Sequence, residues 1–321
     1  MLLVTPSPKP YCPAMRRRML VTVSVVLGCL VGAGTPAVAG GPQDPVGGET
    51  ALGNRDGLQY LSETLAVGSS GHFGGNSEAA WISCGGHSSP WHPVSGGATI
   101  SDSPAENHLT GLRAQDLDSP LETPDNTITD DWWDTTVSSV VGRTLTGYAI
   151  CTKTTLTYVS RTIPDGASSA RTGSAACPAG KRLVGGGGFI ATTGSWINSS
   201  YPARNNTWKV RIHDVVNGLG GMAASATCRG KGGIDKVTKT RSGIAAADSG
   251  GATALCPGKK HVIGGGGKLS GPIGEAHLTA SRPVDGADSD STPDDGWKVT
   301  GYNVSGASKR LTAYALCVDS G

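Results

Sequence analysis

The sequence predicts an all-β, antiparallel protein, because three observations agree. Glycine supplies 49 of the 321 residues, about twice its usual share, which disfavours long helices. Apolar and polar residues alternate over short stretches such as 209–212 and 311–316, the period expected of strands. Asn-Gly, Asp-Gly and Ser-Gly pairs separate these stretches at short intervals and favour tight turns.

Residues 1–39 are interpreted as upstream residues followed by a signal peptide. Three arginines at 16–18, an apolar run at 19–31 and a small-residue cleavage site at 37–39 form the signal. Residues 1–14 contain four prolines and read as upstream translation. We therefore expect a secreted, extracellular protein whose mature form begins at Gly40 after cleavage. We expect no membrane span, because the apolar run at 19–31 is too short to cross a bilayer. Lipid attachment at Cys29 is the alternative.

Three repeats fill most of the remaining chain. The stretch CPAGKRLVGGGG at 177–188 recurs as CPGKKHVIGGGG at 256–267, and LTGYAIC at 145–151 recurs as LTAYALC at 311–317. These landmarks place repeat 1 at 58–151, repeat 2 at 155–228 and repeat 3 at 234–317. Residues 40–57 are expected to be a disordered Gly-rich leader. The short linkers favour a pseudo-threefold, prism-like assembly of the repeats, with three tandem small β-sandwiches as the alternative.

Six cysteines remain after signal removal, an even number that is typical of disulfides in an oxidising compartment. Each repeat opens and closes with one cysteine. The economical pairing is therefore Cys84–Cys151, Cys177–Cys228 and Cys256–Cys317.

The seven tryptophans divide into two groups. Trp133, Trp208 and Trp297 hold a repeated position, so we predict that they belong to the core and cover the backbone of the glycine runs. Trp81, Trp91, Trp132 and Trp196 have no counterparts in the other repeats. Of these, Trp91, Trp132 and Trp196 are the candidate ligand-binding residues, because an exposed indole can stack on a sugar ring.

The pattern CPxGxxxxGGG, Ser-x-Pro, Trp-x-Val and a closing Ala-Tyr-Ala-x-Cys resembles repeats in uncharacterised secreted proteins of high-GC Gram-positive bacteria. It has a fainter resemblance to vitelline membrane outer layer proteins, whose CPxG openings and cysteine endings recur three times on a β-prism. These resemblances imply a fold rather than an activity.

The sequence contains no GxSxG, HExxH, CxxC or Walker motif, and we predict no catalytic residue, metal or cofactor. The histidines, including the pair His87 and His92, are expected to be exposed loop residues. Two Asp-rich loops precede repeated tryptophans and are expected to be solvated turns rather than calcium sites. Their members are Asp125, Asp130, Asp131 and Asp134 in repeat 1 and Asp285, Asp288, Asp290, Asp294 and Asp295 in repeat 3.

The expected function is non-enzymatic binding of an extracellular polysaccharide or cell-envelope glycan. The alternatives are a secreted glycan hydrolase that uses carboxylates of the Asp-rich loops, such as Asp130 and Asp294, and a structural protein of the extracellular matrix or spore surface. The net charge of +2 predicts no nucleic-acid partner, because phosphate binding needs a larger basic excess.

Overall fold

The computed structural model describes residues 49–55, 57–67, 77–85, 89–101, 105–115, 132–139, 142–166, 168–192, 194–215, 221–230, 232–286, 288 and 290–319. Nineteen strands and one 3₁₀ turn, Ile273–Glu275, lie in these ranges, which contain no α-helix. Within this part of the chain no helix is long and apolar enough to cross a membrane. The predicted signal peptide lies outside the described residues.

Each repeat has the same six strands in the same order, and repeat 1 is preceded by one more. The first seven strands are β1 (Thr50–Arg55), β2 (Leu58–Ala66), β3 (Ser77–Ser83), β4 (His92–Ile100), β5 (His108–Gln115), β6 (Trp132–Ser138) and β7 (Thr144–Thr152). Repeat 2 contains β8 (Leu156–Thr162), β9 (Ala170–Ala176), β10 (Arg182–Ile190), β11 (Trp196–Pro202), β12 (Thr207–His213) and β13 (Met222–Arg229). Repeat 3 contains β14 (Asp235–Ile244), β15 (Ser249–Leu255), β16 (His261–Leu269), β17 (Ala276–Val284), β18 (Gly296–Asn303) and β19 (Lys309–Val318).

The strands form three antiparallel sheets, and every sheet combines two repeats. Sheet A has the order β1-β2-β7-β4-β17-β18-β15, sheet B the order β3-β6-β5-β10-β13-β8, and sheet C the order β14-β19-β16-β11-β12-β9. Repeats 1 and 3 share sheet A, repeats 1 and 2 share sheet B, and repeats 2 and 3 share sheet C. The prediction of an all-β antiparallel fold is confirmed. Because no repeat completes a sheet alone, the tandem-sandwich alternative is wrong; the prism shape stays a prediction.

The segment before repeat 1 differs from our expectation of a disordered leader. Thr50–Arg55 form the strand β1, which pairs antiparallel with β2 from Thr50 opposite Ser62 to Arg55 opposite Leu58. Without β1, β2 would be the edge of sheet A and would expose unpaired backbone groups. Pairing with this edge orders a segment whose composition alone favours flexibility.

Three disulfides close the repeats, at Cys84–Cys151, Cys177–Cys228 and Cys256–Cys317. They are the three pairs that the repeats predict. The Cα atoms are 5.7 Å apart in each, within the usual range. Each bond joins the loop before β4, β10 or β16 to the end of the neighbouring strand β7, β13 or β19. Such disulfides are typical of an oxidising, extracellular environment.

The repeated tryptophans lie directly on the glycine backbone, as predicted. Trp133, Trp208 and Trp297 are at most 1% exposed. Their indole rings cover Gly96, Gly186 and Gly265, which hold the same position in β4, β10 and β16. A Cβ on Gly186 would lie 2.6 Å from Trp208 Cδ2, and the other two sites are tighter. Only glycine therefore allows the indole to reach its place.

A second glycine position brings the three repeats together. A Cβ on Gly185 would overlap the carbonyl of Val94, and a Cβ on Gly264 would overlap that of Val184. The third member of this position is Ser95, whose hydroxyl donates a hydrogen bond to the Ile263 carbonyl over 2.7 Å. Repeat 2 thus contacts repeat 1, repeat 3 contacts repeat 2, and repeat 1 contacts repeat 3. The contacts close in a circle.

The indole N–H groups show where repeat 1 departs from the others. Trp208 Nε1 donates to Ser200 Oγ and Trp297 Nε1 donates to Ser281 Oγ, each over 2.9 Å. Leu112 takes the place of these serines in β5. In the described part of the chain Trp133 Nε1 therefore has no hydrogen-bond partner.

The substitution Gly265→Ala should lower the free energy of unfolding by about 2–3 kcal/mol, because the new methyl group displaces the Trp297 ring from a close-packed core. Urea unfolding measures the change. Gly306→Ala is the control, because nothing lies within 4 Å of a Cβ at that position, and it should change stability by less than about 1 kcal/mol. Equal losses in the two variants would contradict the packing argument.

Replacing Trp297 by Phe should cost about 1 kcal/mol more than replacing Trp133 by Phe. Both indoles are fully buried, so the loss of volume is matched. Trp297→Phe also leaves the Ser281 hydroxyl, 1% exposed, without its donor, whereas Trp133→Phe removes an N–H group that has no partner. Chemical denaturation compares the variants, and identical losses would show that the hydrogen bond contributes nothing.

Candidate functional site

The three tryptophans predicted to bind ligand lie at separate places. Trp91 precedes β4 in sheet A, Trp132 begins β6 in sheet B, and Trp196 begins β11 in sheet C. All three are half-buried, and Nε1 of Trp132 and of Trp196 is buried without a hydrogen-bond partner among the described residues. They lie in three different sheets, and their role as ligand-binding residues stays a prediction.

Trp91 lies beside a cleft at the ends of β7, β13 and β19, which we name the linker cleft. Its volume is about 480 Å³, and its lining includes Thr152, Lys153, Arg229, Val318 and Asp319. Lys153 Nζ lies 4.8 Å from the centre of the Trp91 ring. The carboxylate of Asp319 is paired with Lys260 over 2.7 Å. The cleft is therefore polar, with Trp91 outside its lining.

Histidines gather where equivalent strands of the three repeats begin, in contrast to the expected exposed loops. His108, Trp196 and His277 hold the same position in β5, β11 and β17. Their ring centres are 5.0–5.8 Å apart. His213 stacks on Trp196 at 4.3 Å, and Tyr302 lies 5.6 Å from His277. We name these five residues the axial histidine cluster.

The axial histidine cluster is a packed end of the fold rather than an open site. His277 is 2% exposed. Burial lowers the pKa of His108, and burial lowers that of His213 more than Asp214 raises it. The expectation of exposed histidines was wrong here because the three repeats meet at this point. The shared triplet His-Leu-Thr at 108–110 and 277–279 was the available sequence signal. His87 lies outside the described residues.

The acidic loop of repeat 3 does bring carboxylates together. In two groups of three aspartates, one carboxylate oxygen from each residue lies within 4.8 Å of the others. The groups are Asp288, Asp290 and Asp294, and Asp285, Asp288 and Asp295. Asp294 is 1% exposed, and its Oδ2 lies 2.6 Å from His261 Nδ1. Backbone N–H groups of Gly286 and Thr292 donate to other members of the loop. These bonds are those of a folded acidic turn.

In repeat 1 the acidic loop falls mostly outside the described residues, including Asp125, Asp130 and Asp131. Asp134 lies on β6, is 3% exposed and pairs with Arg113 over 3.2 Å. The hydrolase alternative, which uses carboxylates of the Asp-rich loops, therefore stays a prediction.

Sequence reasoning missed a buried carboxylate on β2. Glu63 is 1% exposed, and its Oε2 accepts the Trp81 N–H over 3.2 Å. Glu49 Oε1 accepts the Ser83 N–H over 2.6 Å. Both donors belong to β3, an edge strand of sheet B, so the two carboxylates satisfy its open N–H groups. The pKa of Glu63 is raised to about 7, chiefly because the carboxyl group is buried and secondly because of the negative charge of Glu49.

The outer face of sheet C carries the most distinctive set of side chains. The inward residues of β12 and β19 are buried, and they include Trp208, Val210, Leu311 and Ala313. Because side chains alternate along a strand, the residues between them point outward. On this outer side the strands β11, β12, β14, β16 and β19 carry five cations and two tyrosines, of which Tyr201 is only 8% exposed: Lys209, Arg211, Lys236, Lys268, Arg310, Tyr201 and Tyr314. We name this surface the tyrosine–lysine face.

Contacts between strands establish that these residues share one surface. Tyr201 on β11 stacks on Tyr314 on β19, with ring centres 5.3 Å apart and an angle of 23°. Lys268 Nζ on β16 lies 5.5 Å from the Tyr201 ring. Burial raises the pKa of both tyrosines, so both rings stay neutral near pH 7. The stack joins repeat 2 to repeat 3.

Hydroxyl groups surround the tyrosines on the same face. Thr240 and Thr312 are hydrogen-bonded to each other over 2.9 Å, and Thr238 lies opposite Tyr314 in the ladder. On the other side of the stack, Thr172 and Ser174 on β9 lie opposite Arg211 and Lys209. Aromatic rings, hydroxyls and cations thus lie on one continuous sheet surface.

The other two sheets have a simpler arrangement at the same place. In sheet A, Arg282 lies 5.6 Å from the Tyr148 ring, and in sheet B, Arg113 lies 3.8 Å from the Phe189 ring. Each of these contacts joins two repeats through one cation and one aromatic ring. Sheet C alone, among the described residues, adds a second ring.

No protein-family model matches the chain, and no curated protein matches it significantly. The resemblances given by the repeat pattern stay predictions.

Glu63→Gln should stabilise the protein at pH 8 and have little effect at pH 4. The folded-state pKa of about 7 lies above the ordinary value of 4.5, so folding favours the protonated form, and stability falls as pH rises from 4.5 through 7. The expected gain at pH 8 is at most about 3 kcal/mol, measured by urea unfolding at both pH values.

The exposed carboxylate Glu106 supplies the control, because Glu106→Gln should leave the pH dependence of stability unchanged. Histidine titration is common to all variants and cancels in the comparison. A Glu63→Gln protein with the pH dependence of the original would contradict the argument.

Proposed function

We propose that the protein is a secreted, non-enzymatic binding protein that holds an extracellular polysaccharide or cell-envelope glycan on the tyrosine–lysine face. The observation that carries the proposal is the Tyr201–Tyr314 stack, in which Tyr314 is half-buried and Tyr201 is 8% exposed, and which is set among hydroxyl side chains on the outer face of sheet C. An aromatic ring face packs against the C–H groups of a sugar, and nearby hydroxyls exchange hydrogen bonds with its hydroxyls.

An open face suits a polymer better than a closed pocket does. A polysaccharide chain must pass across its binding site and leave at both ends, which the surface of a sheet allows. The tyrosine–lysine face crosses five neighbouring strands from β14 to β12, a width of roughly 19 Å at the usual strand spacing. This width accommodates several sugar residues at once.

The scaffold supports binding because it keeps the face rigid. Tyr201 and Tyr314 lie on strands of different repeats, and the disulfides Cys177–Cys228 and Cys256–Cys317 close those repeats. A surface that is ordered before binding loses little conformational entropy when the ligand arrives. The proposal thus moves the stacking residues from Trp91, Trp132 and Trp196 to the two tyrosines.

The test compares two equivalent tyrosines. Tyr314 on β19 and Tyr148 on β7 hold the same repeat position, opposite Gly266 and Gly97, and both are half-buried. Retention on cellulose, chitin, peptidoglycan and immobilised polygalacturonate is measured for the original protein and for the variants Tyr314→Ala and Tyr148→Ala.

We expect retention on at least one glycan, weakened about tenfold by Tyr314→Ala, since one stacked ring contributes about 1 kcal/mol beyond its buried area. Tyr148→Ala should keep the original retention. Absence of retention on the whole panel would refute glycan binding, and equal losses in both variants would place the site elsewhere.

A further inference from the structure

We infer that the glycan bound on the tyrosine–lysine face is anionic. The inference rests on the proposed function and names its substrate class: a polysaccharide that carries carboxylate, sulfate or phosphate groups at intervals. Its basis is the set of cations around the tyrosine stack and the partners that these cations have.

None of the five cations on this face has a carboxylate partner in the described part of the chain. Arg211 donates to the carbonyls of Leu269 and Gly271, over 3.1 and 2.8 Å. Lys236 Nζ donates to the Ala203 carbonyl over 2.9 Å. Lys268 lies over the Tyr201 ring. The positive charges of Arg211, Lys236 and Lys268 are therefore oriented by neutral groups and remain available to an anion.

The cations are concentrated in one sheet rather than spread over the molecule. The strands of sheet C contain nine lysine and arginine residues and one acidic residue, Asp235. The strands of sheet A contain three lysine and arginine residues and one acidic residue. Those of sheet B contain four lysine and arginine residues and two acidic residues. The net charge of +2 for the whole chain does not show that the basic excess lies in sheet C.

The arrangement of the cations fits a charged polymer rather than a single ion. Lys209, Lys268 and Arg310 lie on three different strands, β12, β16 and β19, with the tyrosine stack between them. A row of positive charges across a sheet attracts a chain whose negative charges repeat, and the attraction falls as salt rises. The rings contact the neutral part of each sugar while the cations contact its acidic groups.

Nucleic acid has the same repeating negative charge, and it is the alternative partner for such a face. The three disulfides favour the glycan, because they fit an oxidising extracellular environment. The experiment therefore includes a nucleic acid as a competing probe.

The experiment measures binding of the full protein to polygalacturonate and to fully methyl-esterified polygalacturonate, by calorimetry at about 50 mM and about 200 mM salt. The two polymers share one backbone and differ in charge. Single-stranded DNA is the third probe. The test variant combines Lys209→Gln with Lys268→Gln. The control variant combines Lys298→Gln with Arg161→Gln and so removes one exposed cation from sheet A and one from sheet B.

We expect the free acid to bind more tightly than the ester, and binding to weaken as salt rises. Removing Lys209 and Lys268 should weaken binding of the acid by about tenfold, since two ion pairs with the polymer are lost and each exposed pair contributes only modestly. The control pair carries the same net charge and should bind as the original protein does.

Other outcomes overturn the inference in distinguishable ways. If the ester binds as tightly as the acid, the charge assignment fails while the proposed glycan binding stands. If the control pair loses as much affinity as the sheet C pair, the attraction is a property of the net charge. If DNA binds and neither polygalacturonate form does, the partner is a nucleic acid and the proposed function fails as well.

Discussion

The fold depends on the close approach of backbone and indole at the repeated glycines. Trp133, Trp208 and Trp297 each lie where a Cβ atom would otherwise be, and the neighbouring position brings three strands of different repeats into contact. Both contacts require a side chain of almost no volume, because a close-packed core transmits any excess to its neighbours. This explains why a four-residue glycine run forms ordinary buried strand.

The shared sheets follow from the same constraint. Each repeat places three strands in one sheet and three in the next, so a single repeat cannot bury its own tryptophan and glycine faces. The disulfides act within repeats and the glycine contacts act between them. In a disulfide-bonded protein with few large apolar residues, this combination replaces the thick hydrophobic core that a larger share of phenylalanine and leucine would supply.

The inner tryptophan and glycine positions are shared by the three repeats, apart from Ser95 and Leu112 in repeat 1, and the candidate site lies on an outer face. Sheets A and B each join their repeats with one cation and one aromatic ring, at Arg282 with Tyr148 and Arg113 with Phe189. Sheet C adds the Tyr201–Tyr314 stack and surrounding cations. Specialisation of one face leaves the common interior unchanged, because strand side chains alternate between interior and surface.

The all-β class, the three cysteine pairs and the burial of the repeated tryptophans follow from the sequence, because periodicity and repetition are local and can be read along the chain. The alternation of Lys209 and Tyr314 with apolar residues is visible there too. That β12 and β19, from different repeats, lie in one sheet is a property of the folded chain. The same is true of the placement of His108, Trp196 and His277 together. Contacts between repeats depend on which strands pair, and a single sequence carries no signal for pairings so distant along the chain.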